Sequence, residues 1–177
     1  MTSIKVGLAH PASLMTLLRV PSSEEDSMKA ADICTREVIT CLLGTTVLEA
    51  CKIMRVNHVG DIVVVEETPD GKLRPKGILT DRDIVLEVLA RDVDASRLFV
   101  DDVMSSSLVC AYDWEDAWQI AKRMRLHAIR RVPVVDEARE LVGVISLDDL
   151  LDSACALLSE LSLIAGRQPH FELKQRA

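Results

Sequence analysis

Gly77-Ile78-Leu79-Thr80-Asp81-Arg82-Asp83-Ile84 and Gly143-Val144-Ile145-Ser146-Leu147-Asp148-Asp149-Leu150 follow one pattern. Each runs from glycine through aliphatic residues to a hydroxyl, then to an aspartate three places on. The hydroxyl sits where a short apolar run ends and a helical period begins. That is the place of a helix N-cap, and the aspartate is spaced to close a capping box. A strand leading into a helix therefore occurs twice in this chain.

Working outward, the rest of the chain also repeats. Asp32-Ile33-Cys34 returns as Asp102-Val103-Met104, Val38-Ile39 as Leu108-Val109, Met54 as Met124, and Val64-Val65 as Val134-Val135. The first copy carries a short insertion around Pro69-Asp70-Gly71-Lys72, which is turn chemistry. Each copy begins with a short apolar strand, Val38-Ile39 or Leu108-Val109. A helix follows, with Val47, Ala50, Cys51 and Met54, or Ala117, Ile120, Ala121 and Met124, on one face. The β-branched runs Ile62-Val63-Val64-Val65 and Val132-Pro133-Val134-Val135 are strands, followed by Gly77-Ile78-Leu79 and Gly143-Val144-Ile145. A second helix closes each copy. Its buried face is expected to be Ile84, Val85, Val88 and Leu89 in the first, and Leu150, Leu151, Ala154, Leu157 and Leu158 in the second.

The predicted fold class is thus α/β (α+β), with two β-α-β-β-α repeats packed by pseudo-twofold symmetry into one module. One copy alone buries too little surface to be comfortably stable. The boundaries read as an N-terminal extension at 1–27, repeats at 28–95 and 96–166, and a polar C-terminal tail at 167–177. Within the extension, Leu14, Met15, Leu17 and Leu18 read either as a short apolar helix or as part of an unstructured stretch.

Hydrophobic residues make up 49% of the 177 and aromatics 3%, so the core must be aliphatic. The formal charge is −7. Such a surface repels phosphate backbones and argues against nucleic acid as a partner. No apolar run approaches the ~20 residues of a membrane helix, and the start lacks the apolar core of a signal peptide. The expectation is a cytoplasmic protein with no membrane partner. The five cysteines and four histidines are dispersed. They read as buried thiols in a reducing compartment and predict no metal.

At this point the chain resembles a known family. Asp32-x-Cys34, Asp102-x-Met104, Arg131-Val132-Pro133-Val134-Val135-Asp136 and the two opening octapeptides resemble the motifs of CBS domains over roughly residues 28–165. The second half is similar to small free-standing bacterial CBS-pair proteins. The resemblance implies a Bateman module that binds AMP, ADP, ATP, NAD or a related adenosine ligand in clefts between the copies. It also implies further pairing into a homodimer. No cofactor is required; the adenine nucleotide is a regulatory ligand, and the protein target is unknown.

The residues themselves carry part of that chemistry. A helix N-terminus with free N–H groups suits phosphate, and a carboxylate there can accept from ribose hydroxyls. Phosphate needs cations, and guanidinium binds it in paired hydrogen bonds. Arg130-Arg131 precede the central strand of copy two, where copy one has Gly60-Asp61. The clefts are therefore expected to differ. The first joins Thr80, Arg82, Asp83 and Ile78 to Val109, Ile129, Arg130, Arg131 and Pro133. The second, weaker, joins Val144, Ser146 and Asp149 to Ile39 and Val59, with Gly60-Asp61 in place of the basic pair. Candidates for an apolar adenine slot are Ile39, Val59, Ile78, Val109, Ile129 and Val144. No G-x-S-x-G, P-loop or H-E-x-x-H is present, and no catalytic residue is assigned. The alternative is a structural or docking module with non-functional clefts. Asp61 and the apolar N-terminal segment speak for it. A homodimer is expected through Ala117-Trp118-Ile120-Ala121 and Leu150, Leu157 and Leu161.

Overall fold

The computed structural model describes residues 28–105 and 107–175, with the backbone alone over 166–175. The apolar segment at Leu14–Leu18 lies outside the described residues. The described chain runs α1 (Ala30–Ile33), β1 (Thr40–Leu42), α2 (Val47–Asn57), β2 (Asp61–Glu67), β3 (Leu73–Thr80) and α3 (Asp81–Ile84). A π-helical turn, Val85–Leu89, completes the first repeat. The second runs α4 (Val100–Val103), β4 (Ala111–Tyr112), α5 (Ala117–His127), β5 (Arg131–Val135), β6 (Leu141–Ser146) and α6 (Leu147–Gln175).

Two three-stranded sheets result, ordered β1-β2-β3 and β4-β5-β6. In each the first pair is parallel and the second antiparallel. Both antiparallel pairs slip register at equivalent points, Val64/Val65 and Val134/Val135. The helices start where side chains satisfy their free N–H groups. Thr46 Oγ1 accepts from Glu49 N at 3.2 Å, and Asp116 Oδ1 accepts from Trp118 N at 3.0 Å. Both α2 and α5 end on a left-handed residue that is not glycine, His58 (φ 55) and Ala128 (φ 53).

Strand alternation divides the aliphatic residues between two faces. Ile62, Val64 and Leu79 pack on Val47, Ala50 and Met54 of α2. Val132, Val134 and Ile145 pack on Ile120 and Met124 of α5. The opposite faces carry Val63, Val65 and Val135, which are also buried. Those faces turn towards each other, and β3 touches β6.

The repeats are interleaved, which the sequence boundaries do not convey. Ala30, Ile33 and Cys34 of the first copy belong to the core of the second. Val100, Leu98, Val103 and Met104 belong to the core of the first. Ala30 N donates to Glu115 O at 2.8 Å, and Val100 N donates to Thr45 O at 2.9 Å. Beyond α1, Thr35 and Val144 exchange two backbone hydrogen bonds of 2.9 Å; beyond α4, Ser105 N donates to Ile78 O at 3.1 Å. The leading aspartates serve these crossings. Asp32 and Asp102 accept from the N–H groups of Lys29 and Phe99, closing the first turns of α1 and α4. Each core is completed by the other repeat, so the module folds as one unit.

Several expectations need correction. The first strands start later than Val38-Ile39 and Leu108-Val109, at Thr40 and Ala111. Val38 N turns back to Arg36 O at 3.0 Å instead of pairing across the sheet. In the closing helix of repeat one, only the face carrying Ile84 and Val88 is buried, while Val85 and Leu89, one position further round, are exposed. In repeat two, Leu150 packs on the core, but Leu151, Ala154, Leu157 and Leu158 are exposed. Their helix projects past the sheet that would cover them. The backbone of α6 stays helical to Gln175, through the stretch read as a polar tail. Of the expected dimer surface, Ala117 and Ile120 are buried in the module, whereas Trp118, Leu157 and Leu161 are exposed. Cys155 is exposed rather than buried.

Candidate ligand-binding clefts between the repeats

The capping boxes foreseen at Thr80 and Ser146 form. Asp83 Oδ2 accepts from Thr80 N at 2.9 Å and from Thr80 Oγ1 at 2.6 Å. Asp149 Oδ2 accepts from Ser146 N and Ser146 Oγ, both at 2.7 Å. Among the described residues these bonds use only Oδ2, leaving Oδ1 of each carboxylate to accept from another donor. The same box closes at Thr46 and Glu49 on α2, away from the clefts. A box is therefore not a ligand site in itself. What sets Thr80 and Ser146 apart is the company they keep.

That company follows from register. Thr80 stands opposite Asp61 in the β2–β3 pair, and Ser146 stands opposite Arg131 in the β5–β6 pair. By strand alternation all four side chains lie on the face turned towards the other repeat. Asp61 and Arg131 are equivalent positions of the two copies, and they meet: Arg131 Nε lies 3.1 Å from Asp61 Oδ1. Asp61 is 12% exposed and Arg131 40%. Burial pushes the Asp61 carboxyl above its ordinary range; Arg131 pulls it back and Asp81 adds to the rise. The helix starts copy each other here too. Asp81 N donates to Gly60 O at 2.9 Å, and Leu147 N donates to Arg130 O at 2.8 Å.

The structure thus gathers Thr80, Asp83, Ser146, Asp149 and Arg131 at one end of the two facing sheets. Arg131 stands beside Ser146 in its own sheet and reaches Asp61 beside Thr80, so it borders both boxes. Arg82 and Arg130 are exposed, and Pro133 is buried. The six residues proposed for an adenine slot are partly exposed. Among them Ile39 and Val59 lean on the core of repeat one, and Ile129 leans on that of repeat two.

A cavity of about 730 Å³ opens between β3 and the β4–β5 side of repeat two. Arg74, Lys76, Leu108, Cys110, Tyr112 and Arg139 line part of it. None of the residues chosen from sequence does, although Val109 stands between two that do. Tyr112, the chain's only tyrosine, stacks on Trp114 with ring centroids 5.4 Å apart. Its signal was available: an aromatic in a chain with 3% of them, where the first copy has Leu42. A second cavity, about 560 Å³, lies on the helical side of repeat one, with Cys51, His58, Val59 and Asp81 among its walls. Burial pushes the Cys34, Cys41, Cys51 and Cys110 thiols up, away from reactivity.

Known proteins share this architecture. The CBS domain family matches residues 30–90 and 100–155, one match per repeat. The CBS domain-containing protein YhcV of Bacillus subtilis is 42% identical over 122 residues, covering 67% of this chain and 80% of YhcV. The uncharacterized protein MK0525 of Methanopyrus kandleri is 30% identical over 125 residues, covering 71% of this chain and 62% of its own length. Among solved structures, the CBS domain pair of protein MJ0100, in complex with 5′-methylthioadenosine and S-adenosyl-L-methionine, is similar with a TM-score of 0.62 and 26% identity. That likeness covers 73% of this chain and 98% of the MJ0100 pair. With both repeats matched in sequence and their strand order, crossed cores and twin capping boxes in place, the chain belongs to the CBS domain family as a tandem pair.

Proposed function

We propose that this module is a sensor: it binds an adenosine-type ligand between its two repeats and passes the occupancy to a partner protein. The observation that carries the reading is the convergence of Thr80, Asp83, Ser146, Asp149 and Arg131 on the inter-repeat face. The MJ0100 pair, which holds adenosine compounds, supports the ligand class. The reading assigns no chemistry to the chain. Its boxed aspartates hold helix ends, and the CBS domain family accounts for both repeats. The exposed apolar side chains of α5 and α6, Trp118, Leu157 and Leu161, support self-association as a homodimer.

A docking module with idle clefts is the second reading, and one observation favours it: Asp61 already occupies the Arg131 guanidinium. A thermal-shift panel of adenosine, AMP, ADP, ATP, NAD and S-adenosylmethionine separates the two. Binding to the folded state stabilises it by RT ln(1 + [L]/Kd), about 2.7 kcal/mol at a hundredfold excess over Kd. The sensor reading expects a raised Tm with at least one compound. No shift with any of them at millimolar concentration leaves the docking reading standing.

A further inference from the structure

We propose that Asp61 makes the cleft at Thr80 and Asp83 select adenosine compounds whose 5′ substituent carries no phosphate. The inference rests on the sensor reading and narrows its ligand class. At the end of the inter-repeat face where Thr80 and Ser146 lie, the repeats offer equivalent positions, 61 and 131, that lie within reach of one another. Two arginines there would repel each other and hold an anion between them. This chain has one arginine and one aspartate, and they pair with each other at 3.1 Å.

The consequence for a ligand is direct. A phosphate arriving beside Thr80 must draw Arg131 away from Asp61. It would then leave that carboxylate, only 12% exposed on its side chain, without its partner and next to a second anion. Asp81, close by in the fold but exposed, raises the Asp61 carboxyl slightly and does not itself face the cleft. Its Oδ2 lies 3.2 Å from where a Cβ on Gly60 would stand, next along the chain to Asp61. The exposed guanidiniums of Arg82 and Arg130 are in water, where they offer a phosphate little. A neutral thioether or a cationic sulfonium at the ribose 5′ position disturbs none of this. Such a group leaves the Asp61–Arg131 pair closed and meets a carboxylate rather than a cation. The ribose hydroxyls still have Asp83 Oδ1 to donate to.

The test compares two ligands that share adenine and ribose: AMP and 5′-methylthioadenosine. Calorimetric titration of the wild-type chain is expected to give methylthioadenosine a Kd at least about tenfold below that of AMP, the scale of one lost charged hydrogen bond. Asp61→Asn releases Arg131 and is expected to move the ratio at least about tenfold towards AMP. Asp61→Ser repeats the comparison should the asparagine variant fail to fold. AMP binding as tightly as methylthioadenosine to the wild type, or a ratio unmoved by both substitutions, overturns the inference while leaving the sensor reading intact. Binding of neither ligand to the wild type or a folded variant overturns the inference; the sensor reading falls with it only if the wider adenosine panel also gives no thermal shift. No wild-type binding of AMP, with AMP binding gained in Asp61→Asn, supports the guard role directly.

Discussion

Substituting Gly143 by alanine tests the crossing of the chain between repeats. Gly143 lies in β6, where the segment following α1 passes over it. A Cβ on Gly143 would stand 2.8 Å from Cys34 Sγ and 2.9 Å from the Thr35 carbonyl oxygen. Neither can retreat cheaply. Cys34 sits in the second core, and Thr35 is held by its paired hydrogen bonds to Val144, both 2.9 Å. Overfilling a packed site costs about 1–3 kcal/mol, and loosening one of those hydrogen bonds adds about 1 kcal/mol. We expect Gly143→Ala to cost about 2–4 kcal/mol in urea unfolding. At about 2–4 °C per kcal/mol for a chain of this size, Tm falls by roughly 4–16 °C. Adding Cys34→Ala removes the sulfur clash but not the carbonyl, so it should restore only part of the loss. Gly77→Ala, the equivalent change, should cost less. The added Cβ overlaps the flexible Met104 side chain, and the Ser105 carbonyl stands off at 3.1 Å. A Gly143→Ala variant within about 0.5 kcal/mol of wild type, the range of ordinary surface changes, would refute the interleaved packing.

Three further outcomes follow. Because burial raises the Asp61 carboxyl, the stability of wild type relative to Asp61→Asn is highest below the ordinary carboxylate range and falls as pH rises through the raised value; urea unfolding of both proteins across acid pH checks it, and a relative stability that grows with pH would mean that Arg131 outweighs burial. Ala128→Gly should stabilise the chain by about 0.5–1 kcal/mol, because alanine at φ 53 is strained where glycine is not; unfolding at equal or lower denaturant would contradict this. Light scattering should give a dimer mass for wild type and a monomer mass for Leu157→Glu/Leu161→Glu, whose targets are 59% and 52% exposed; a wild-type monomer would overturn the homodimer.

Most of the architecture was legible because the chain says it twice. The β-branched runs marked the strands, and the spacing of Thr80 and Asp83, or Ser146 and Asp149, announced the helix starts; which valines face the helices emerges only from the structure. The crossing of Ala30–Cys34 into the second core was not legible. It depends on which sheet a short helix caps, and the period of a four-residue helix reveals nothing about that. The exposure of Leu157 and Leu158 was missed for a related reason: helical periodicity marks an apolar face but not whether the module extends far enough to cover it. At the candidate site, the contrast of Arg131 with Asp61 was visible as a difference between copies. Their direct pairing was not, because it needs the two sheets to be brought face to face.

The claim on which the account turns is that adenosine is held at Thr80 and Asp83. Calorimetric titration of adenosine into wild type, Asp83→Asn and Asp149→Asn tests it most directly, since asparagine keeps the shape of the side chain and an acceptor for the helix end. We predict that Asp83→Asn weakens binding at least about tenfold, the scale of a charged hydrogen bond, while Asp149→Asn leaves it within a few-fold of wild type. Tight binding that survives Asp83→Asn and disappears in Asp149→Asn would contradict the account and place the ligand in the other cleft.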